Sequence, residues 1–431
     1  MRFVMLIVFV SISIICFSQE TQVPSEAPTG LFDQTNGLTD QGTFQQDRQQ
    51  FDEVDGSDEG IGPLYNATSC RECHQNPTSG GASQITETRV GHLDQLGFFQ
   101  PPSIPIAHGQ ELIQNRTLVN DRALCPNAQF ADQEIQERVP ETETIKALRM
   151  SLPLFGDGFI EVIADADIVK GAQAQCADKK LGICGQPMIV PVVEFPNLTA
   201  VGRFGWKSQH ASILSFTADA YLNEMGVTST LLPDEVTKIC ATGPIPNTGG
   251  FGEAGAQLGD LGPVARFIRA LMPPNRDVAL SLTPEAQQGA QLFDQLQCSV
   301  CHISTWTTQP AGTIMFGGVY SVALELGNKV IHPYSDFLLH DVGTGDGIEV
   351  VAVEHFGKGA KGKQTAGVAN KLRTPPLWGL RLRPRMMHDG LSVTFTDLIQ
   401  RHGKEAQKSS AGFNALKDDE KQALFQFLRS L

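Results

Sequence analysis

The 431-residue sequence predicts a mainly α protein in two halves, with long loops and minor β structure in the first half. Three observations predict it. The pentad Cys-x-x-Cys-His occurs twice, at Cys70, Cys73 and His74 and again at Cys298, Cys301 and His302, once in each half. Apolar residues recur at helical spacing just before the second pentad and at the chain end. Between them, glycine and proline break up a long irregular stretch that follows the first pentad.

Taken in order, residues 1–18 read as a cleaved signal peptide. After Arg2, the run Phe3 to Phe17 is almost wholly apolar but too short and wrongly flanked for a spanning helix. Residues 19–60 form a polar lead-in with one short helix around Phe44 to Phe51. Residues 61–280 make the first domain, in which "QPMIVPVVEF" (186–195) is the clearest strand, its prolines restricting it to an edge. "LGPVARFIRALMPP" is a helix that carries Val264, Phe267, Ile268 and Leu271 at helical spacing and stops at Pro273-Pro274. Residues 281–431 make the second domain. It opens on a helix capped by Thr283 with Pro284 at its first position and Leu292 and Phe293 facing a core. It closes on a helix from Asp418 to Leu431, with Leu424, Phe427, Leu428 and Leu431 on one face.

Composition narrows the compartment and the partners. With 33 basic against 47 acidic residues, the net charge of −14 argues against nucleic acid. No later stretch reaches the roughly 18 apolar residues a membrane span requires. An exported, periplasmic protein follows. Of nine cysteines, Cys16 leaves with the signal and four belong to the pentads. Cys125, Cys176, Cys184 and Cys240 suit two disulfides in an oxidising compartment. Three pairings exist, spacing favours Cys176 with Cys184, and buried free thiols are the plainer alternative.

The pentads carry the chemistry. Two thiols three positions apart each add to a vinyl group of one haem, and the adjacent histidine offers its imidazole to the iron. The sequence therefore expects two covalently attached haem c groups, on Cys70 and Cys73 with His74 and on Cys298 and Cys301 with His302, in two cytochrome c-like domains. A thioredoxin-like redox pair would need a βαβ setting, and a zinc site would not need the immediate histidines. Gly250-Phe-Gly252-Glu-Ala-Gly255 matches the dinucleotide fingerprint, but it follows "PIPNTGG" rather than a strand and reads as a loop.

The segment "LRTPPLWGLRLRPRMMHDGLSVTFTDLIQRHGKEA" resembles the closing part of the bacterial di-haem cytochrome c peroxidases, whose superfamily includes the enzymes that mature methylamine dehydrogenase. With "GPLYNATSCRECH", "SLPLFGDGFIE", "GRFGWKSQHAS…NEMGVTS" and "PYSDFLLHDVG", the chain resembles more specifically the di-haem oxidoreductase family of peroxidase-like proteins. The resemblance spans most of the mature chain.

It implies roles residue by residue. A Thr-Pro turn and a His-Asp-Gly step precede, by fourteen residues from His388, the sixth ligand of the second haem. That position is His402, where the peroxidases usually carry methionine and the maturation enzymes tyrosine. A bis-histidine iron has a lower potential than a His/Met one. Met386 and Met387 are alternative ligands, their plainer role being packing. Trp206 matches the tryptophan between the haems, and Glu224-Met225 matches the acidic residue and methionine that follow it. Splitting a peroxide needs a group that takes and returns a proton, and Glu224 is the candidate. Otherwise Trp206 is a core aromatic and Glu224 a solvated helix carboxylate. His92, His108 and His210 are candidates to cap the first iron. Eight basic and no acidic residues lie between Lys358 and His388. Among them Arg373 or Arg381 suits haem propionates, or the run forms a dock for an electron partner. The resemblance also implies a calcium held by backbone oxygens of Thr374 and Pro376.

The expected function is a peroxidase-type oxidoreductase. Electrons from a donor cytochrome or cupredoxin would enter at the C-terminal haem and pass by Trp206 to an N-terminal haem that meets hydrogen peroxide. The alternatives are a pure electron-carrying di-haem cytochrome, or oxidation of a protein or organic substrate through a high-valent di-haem state.

Overall fold

A computed structural model of the chain describes residues 23–30, 33–195, 197–241, 259–350 and 367–431. The signal peptide, the glycine-rich loop at Gly250 and the basic residues Lys358, Lys361 and Lys363 lie outside the described residues.

The helices form where local chemistry asks for them. The first, α1 (Gln41–Asp52), is capped by Asp40, whose carboxylate accepts from the N–H groups of Gly42 and Thr43. It buries Phe44 and Phe51 against Phe267 of α2 (Leu261–Ala270), at ring-centroid distances of 5.2 and 4.9 Å. Phe267 is wholly buried, worth about 1.5–3 kcal/mol relative to exposure. Thr283 caps α3 (Pro284–Gln295), accepting from Ala286 N–H at 3.2 Å, and Pro284 opens the helix. The last helix, α4 (Asp418–Ser430), packs along α3 and buries Leu424, Phe427 and Leu428. All four helices meet the sequence expectation to within a few residues.

Among the described residues helix outweighs strand, 32% against 17%, but strand is not confined to the first half. Its main sheet there pairs Thr86–Leu93 antiparallel with Ile145–Met150 over six residues, Thr86 opposite Met150. The expected 186–195 strand is the short Ile189–Pro191, paired only with Thr199–Val201. In the second half Lys329–Ile331 pairs in parallel with Ser25–Glu26, and Leu339–His340 pairs with Leu372–Arg373. Pairs this short leave no alternation in the sequence, which is why minor β was expected in the first half alone.

The division at residue 280 does not divide the apolar core. The largest buried cluster runs from Phe44 and Phe155 through Phe267 to Phe316, Phe337, Leu339 and Trp378. A second cluster gathers Phe293, Leu377, Met386, Phe413 and Phe427 around the C-terminal helices. Disulfides join Cys125 to Cys240 and Cys176 to Cys184, two bridges as expected.

Candidate functional site

Around the second pentad lies a cavity of about 650 Å³, a size suited to a cofactor. Cys298, Cys301 and His302 line it, with His402, Met386, Met387 and His388 also on its wall. The Cys298–Val300 segment is a single tight turn, closed by His302 N–H to the Cys298 carbonyl at 3.0 Å. His302 holds its Nδ1 2.9 Å from the carbonyl of Tyr334. A carbonyl only accepts, so Nδ1 carries the proton and Nε2 keeps a lone pair for a metal. His402, two residues past the helix Phe395–Gln400, is held the same way, Nδ1 lying 2.8 Å from the Leu398 carbonyl. Burial lowers the pKa of both imidazoles, His302 to about 4, and each is sensitive to nearby charge; His402 acts on His302. Both therefore stand neutral, the ligating form.

The first pentad repeats this local design. Cys70–Cys73 is one helical turn, and His74 N–H closes it on the Cys70 carbonyl at 3.1 Å. His74 Nδ1 lies 3.0 Å from the carbonyl of Gly81. Gly81 is required there, because a Cβ would fall 1.8 Å from the Asn76 carbonyl oxygen. Phe51 packs edge-on against the His74 ring, and burial takes the imidazole down to about 4. Burial also pushes the thiols of Cys70, Cys73 and Cys298 up to about 12, so they stay protonated. None of the four pentad cysteines is in a disulfide.

Glu224 ends the helix Ile213–Glu224, whose last carbonyl accepts the N–H groups of Asn66 and Ala67 just ahead of the first pentad. Its carboxyl accepts from Asn66 Nδ2 at 2.8 Å and hydrogen-bonds Glu87. Burial and then the Glu87 charge raise its pKa to about 8, and its own charge is felt by the Cys73 thiol. The helix end thus brings a protonated carboxyl beside the first pentad.

Trp206 lies on the wall of the cavity and donates its indole N–H to the Met150 carbonyl at 2.8 Å. Its ring meets His388 edge-on at 6.1 Å, and Met150 N–H in turn donates to the His388 carbonyl. One residue on, Ser151 donates its hydroxyl to the Cys73 carbonyl. Trp206 therefore stands at a bonded junction between the cavity and the first pentad. The cavity also reaches Asn76, Pro77 and Ala82 behind that pentad.

Charge on the cavity wall is cationic. Arg373 is buried with Nε on the Gly205 carbonyl at 2.8 Å. Arg383 uses Nη2 on the carbonyls of Pro376 and Trp378, while its buried Nε has no hydrogen-bond partner among the described residues. Burial lowers both guanidinium pKa values to about 10. Buried Arg373 and half-buried Arg383, the latter with an unused Nε among the described residues, suit the carboxylates of a haem. Arg381, the other expected fork, donates instead to the carbonyls of Leu431 and Asn275. Thiols, oriented imidazoles, an apolar wall and spare guanidinium donors all fit the group.

Other expected residues are placed elsewhere. His92 Nδ1 pairs with Glu143 at 2.8 Å, exposed His108 pairs with Glu134 at 2.9 Å, and fully buried His210 pairs with Asp219 at 3.2 Å. The Thr374 carbonyl accepts from Ser335 Oγ and the Pro376 carbonyl from Arg383, each keeping a second lone pair. Lys207 Nζ already supplies a cation nearby, donating to the carbonyls of Val368, Ala369 and Lys371.

Sequence reasoning missed His340 and Glu87. His340 is buried on the cavity wall, with Nε2 2.9 Å from Asp336, Nδ1 2.9 Å from Glu405 and Cys301 Sγ at 3.9 Å. Two carboxylates raise its pKa well above the usual imidazole range against the effect of burial. The i, i+4 spacing of Asp336 and His340 was a visible signal; Glu405 was not.

No helix among the described residues is long and apolar enough to cross a membrane. Comparison with solved structures finds Kuenenia stuttgartiensis hydrazine synthase at 14% identity and TM-score 0.37, covering all of both chains. A variant of the diheme peroxidase BthA from Burkholderia thailandensis has 14% identity and TM-score 0.36 over 95% of this chain and 90% of its own. A MauG-like protein associated with microbial copper homeostasis has 14% identity and TM-score 0.30 over 97% and 95%. None of the curated proteins matches. The family described as "Di-haem oxidoreductase, putative peroxidase" matches residues 125–431, a span that contains the second pentad and Glu224 and begins after the first pentad. The chain belongs to the di-haem oxidoreductase family and is an oxidoreductase.

Proposed function

We propose that the protein is an exported, periplasmic di-haem peroxidase in which both haems are attached covalently, one in each of two domains divided near residue 280. Cys70 and Cys73 hold the first haem with His74 as its iron ligand. Cys298 and Cys301 hold the second with His302 and His402. When bound, the haems supply the electrons that break a peroxide O–O bond, the C-terminal one storing charge from a donor cytochrome or cupredoxin and the N-terminal one facing the peroxide.

The chain's own residues do the rest. Arg373 and Arg383 neutralise carboxylates in the C-terminal cavity. Trp206, fixed by Met150, bridges the two positions. The Thr374 and Pro376 carbonyls, each with a second lone pair, would hold a calcium. Glu224 gives its proton to the departing peroxide oxygen and takes one from the near oxygen, ending as it began.

The observation that supports this reading is the Glu224 carboxyl held by Asn66, four residues ahead of Cys70, where burial and Glu87 raise its pKa to about 8. The test mixes the haem-loaded protein with hydrogen peroxide and a reduced donor. Peroxide-dependent oxidation of the donor is expected. An absorption spectrum untouched by peroxide, with both irons low-spin, would instead make it an electron carrier.

A further inference from the structure

Strand residues Thr86–Leu93 present Glu87 and Arg89 on one face, two positions apart. Arg89 grips Glu87 with both Nε and Nη2, at 2.9 and 3.0 Å. On the neighbouring strand, Arg149 Nη1 lies 4.0 Å from Glu87. Beyond it, Arg149 Nε is 2.7 Å from Asp346, which Lys207 Nζ meets at 3.0 Å. Glu87 is also hydrogen-bonded to the Glu224 carboxyl.

An ionised carboxylate can only accept. Two carboxyl groups bonded to each other must therefore hold a proton between them, as like charges so close cannot both ionise. The surroundings decide which group keeps it. Glu87 is gripped by Arg89 and faced by Arg149, whereas Glu224 accepts from the Asn66 amide and feels Arg89 as a charge without a hydrogen bond. We infer that Glu87 is a positioning residue for Glu224, the two forming a proton-sharing carboxyl pair in which arginine-bound Glu87 stays ionised and Glu224 carries the proton. This rests on the reading of Glu224 as the proton-handling group at the first pentad.

The pair explains how Glu224 recovers after giving up its proton. A lone ionised carboxylate in this half-buried place would be unpaired. With Glu87 alongside, the doubly ionised state is penalised and a proton is recaptured, while Arg89 and Arg149 keep the pair from taking two. Burial opposes the charge on Glu87, and the two arginines outweigh it and hold its pKa below the ordinary value.

Infrared titration of the full-length, haem-loaded protein tests this without peroxide. Burial also raises the carboxyl pKa values of Asp157 and Asp55. The expected band is therefore the protonated-carboxyl component lost with a midpoint near pH 8, absent in Glu224→Gln and isolated by the wild-type minus Glu224→Gln difference. In Glu87→Gln, which keeps the shape and removes the charge, the midpoint should fall by about one pH unit or more. Glu87→Asp retains the arginine pairing but falls one methylene short of Glu224, and should lower the midpoint too. It decides the matter if Glu87→Gln does not fold. A band missing from the wild type, one that survives in Glu224→Gln, or a midpoint unmoved by the foldable Glu87 variant overturns the inference. Peroxide turnover is a separate readout, so failure of the peroxidase reading leaves this result standing.

Discussion

The indole N–H of Trp206 lies 2.8 Å from the carbonyl oxygen of Met150, so the aromatic ring is tied to the strand that runs toward the first pentad. Ser151, next along, is bonded to Cys73. The tie fixes the ring against the cavity wall at the point where the two halves meet.

Replacing Trp206 with Phe removes that bond and leaves the pentads intact. Haem content should be unchanged, while reduction of the N-terminal haem by the C-terminal one slows about tenfold, or ~1.4 kcal/mol of barrier. Stopped-flow absorption on the half-reduced protein measures it, and an unaltered rate removes Trp206 from the path.

Glu224→Gln should lower peroxide turnover by on the order of 10²–10⁴-fold. In the wild type, turnover should decline as pH rises through about 8, where the carboxyl loses its proton. Stability follows the same sign. A carboxyl pKa raised in the folded state contributes fully at low pH, and the contribution is lost between the ordinary carboxylate range and about 8. Denaturant titrations at several pH values should show a steeper slope in the wild type than in Glu224→Gln, where raised carboxyls such as Asp55 still contribute.

His402→Ala should convert the C-terminal iron from low-spin to high-spin, because its imidazole lines the cavity with Nδ1 spent on the Leu398 carbonyl and Nε2 left for the metal. Spin-resonance spectra before and after settle it. An unchanged low-spin signal shifts the assignment to Met386 or Met387, which share the wall.

The two disulfides should differ in worth. Cys125–Cys240 closes a separation of 115 residues and Cys176–Cys184 one of 8. Loop-closure entropy gives about 5 kcal/mol for the first and about 2.5 kcal/mol for the second. Paired Cys→Ser variants compared by thermal melting should preserve that order.

What could be read in the sequence was local. The Thr283 cap, the Pro284 start and the apolar faces of Leu261–Ala270 and Asp418–Ser430 depend on residues a few positions apart, as do the two pentads. What could not be read was made by distant contact. Asn66 reaches Glu224 across 158 residues, and His340 reaches Glu405 across 65. Arg381 and Arg383 sit two positions apart with the same chemistry. The tight turn Leu380–Leu382 sends one to the chain end and the other to the Pro376 and Trp378 carbonyls. Only the folded backbone distinguishes them.

The apolar cluster that runs from Phe44 to Trp378 packs the two proposed domains onto one shared core. A fragment cut at residue 280 would leave Phe316, Phe337 and Leu339 facing water, so neither half should survive alone. If both pentads hold haem, that shared core carries the two positions in one body.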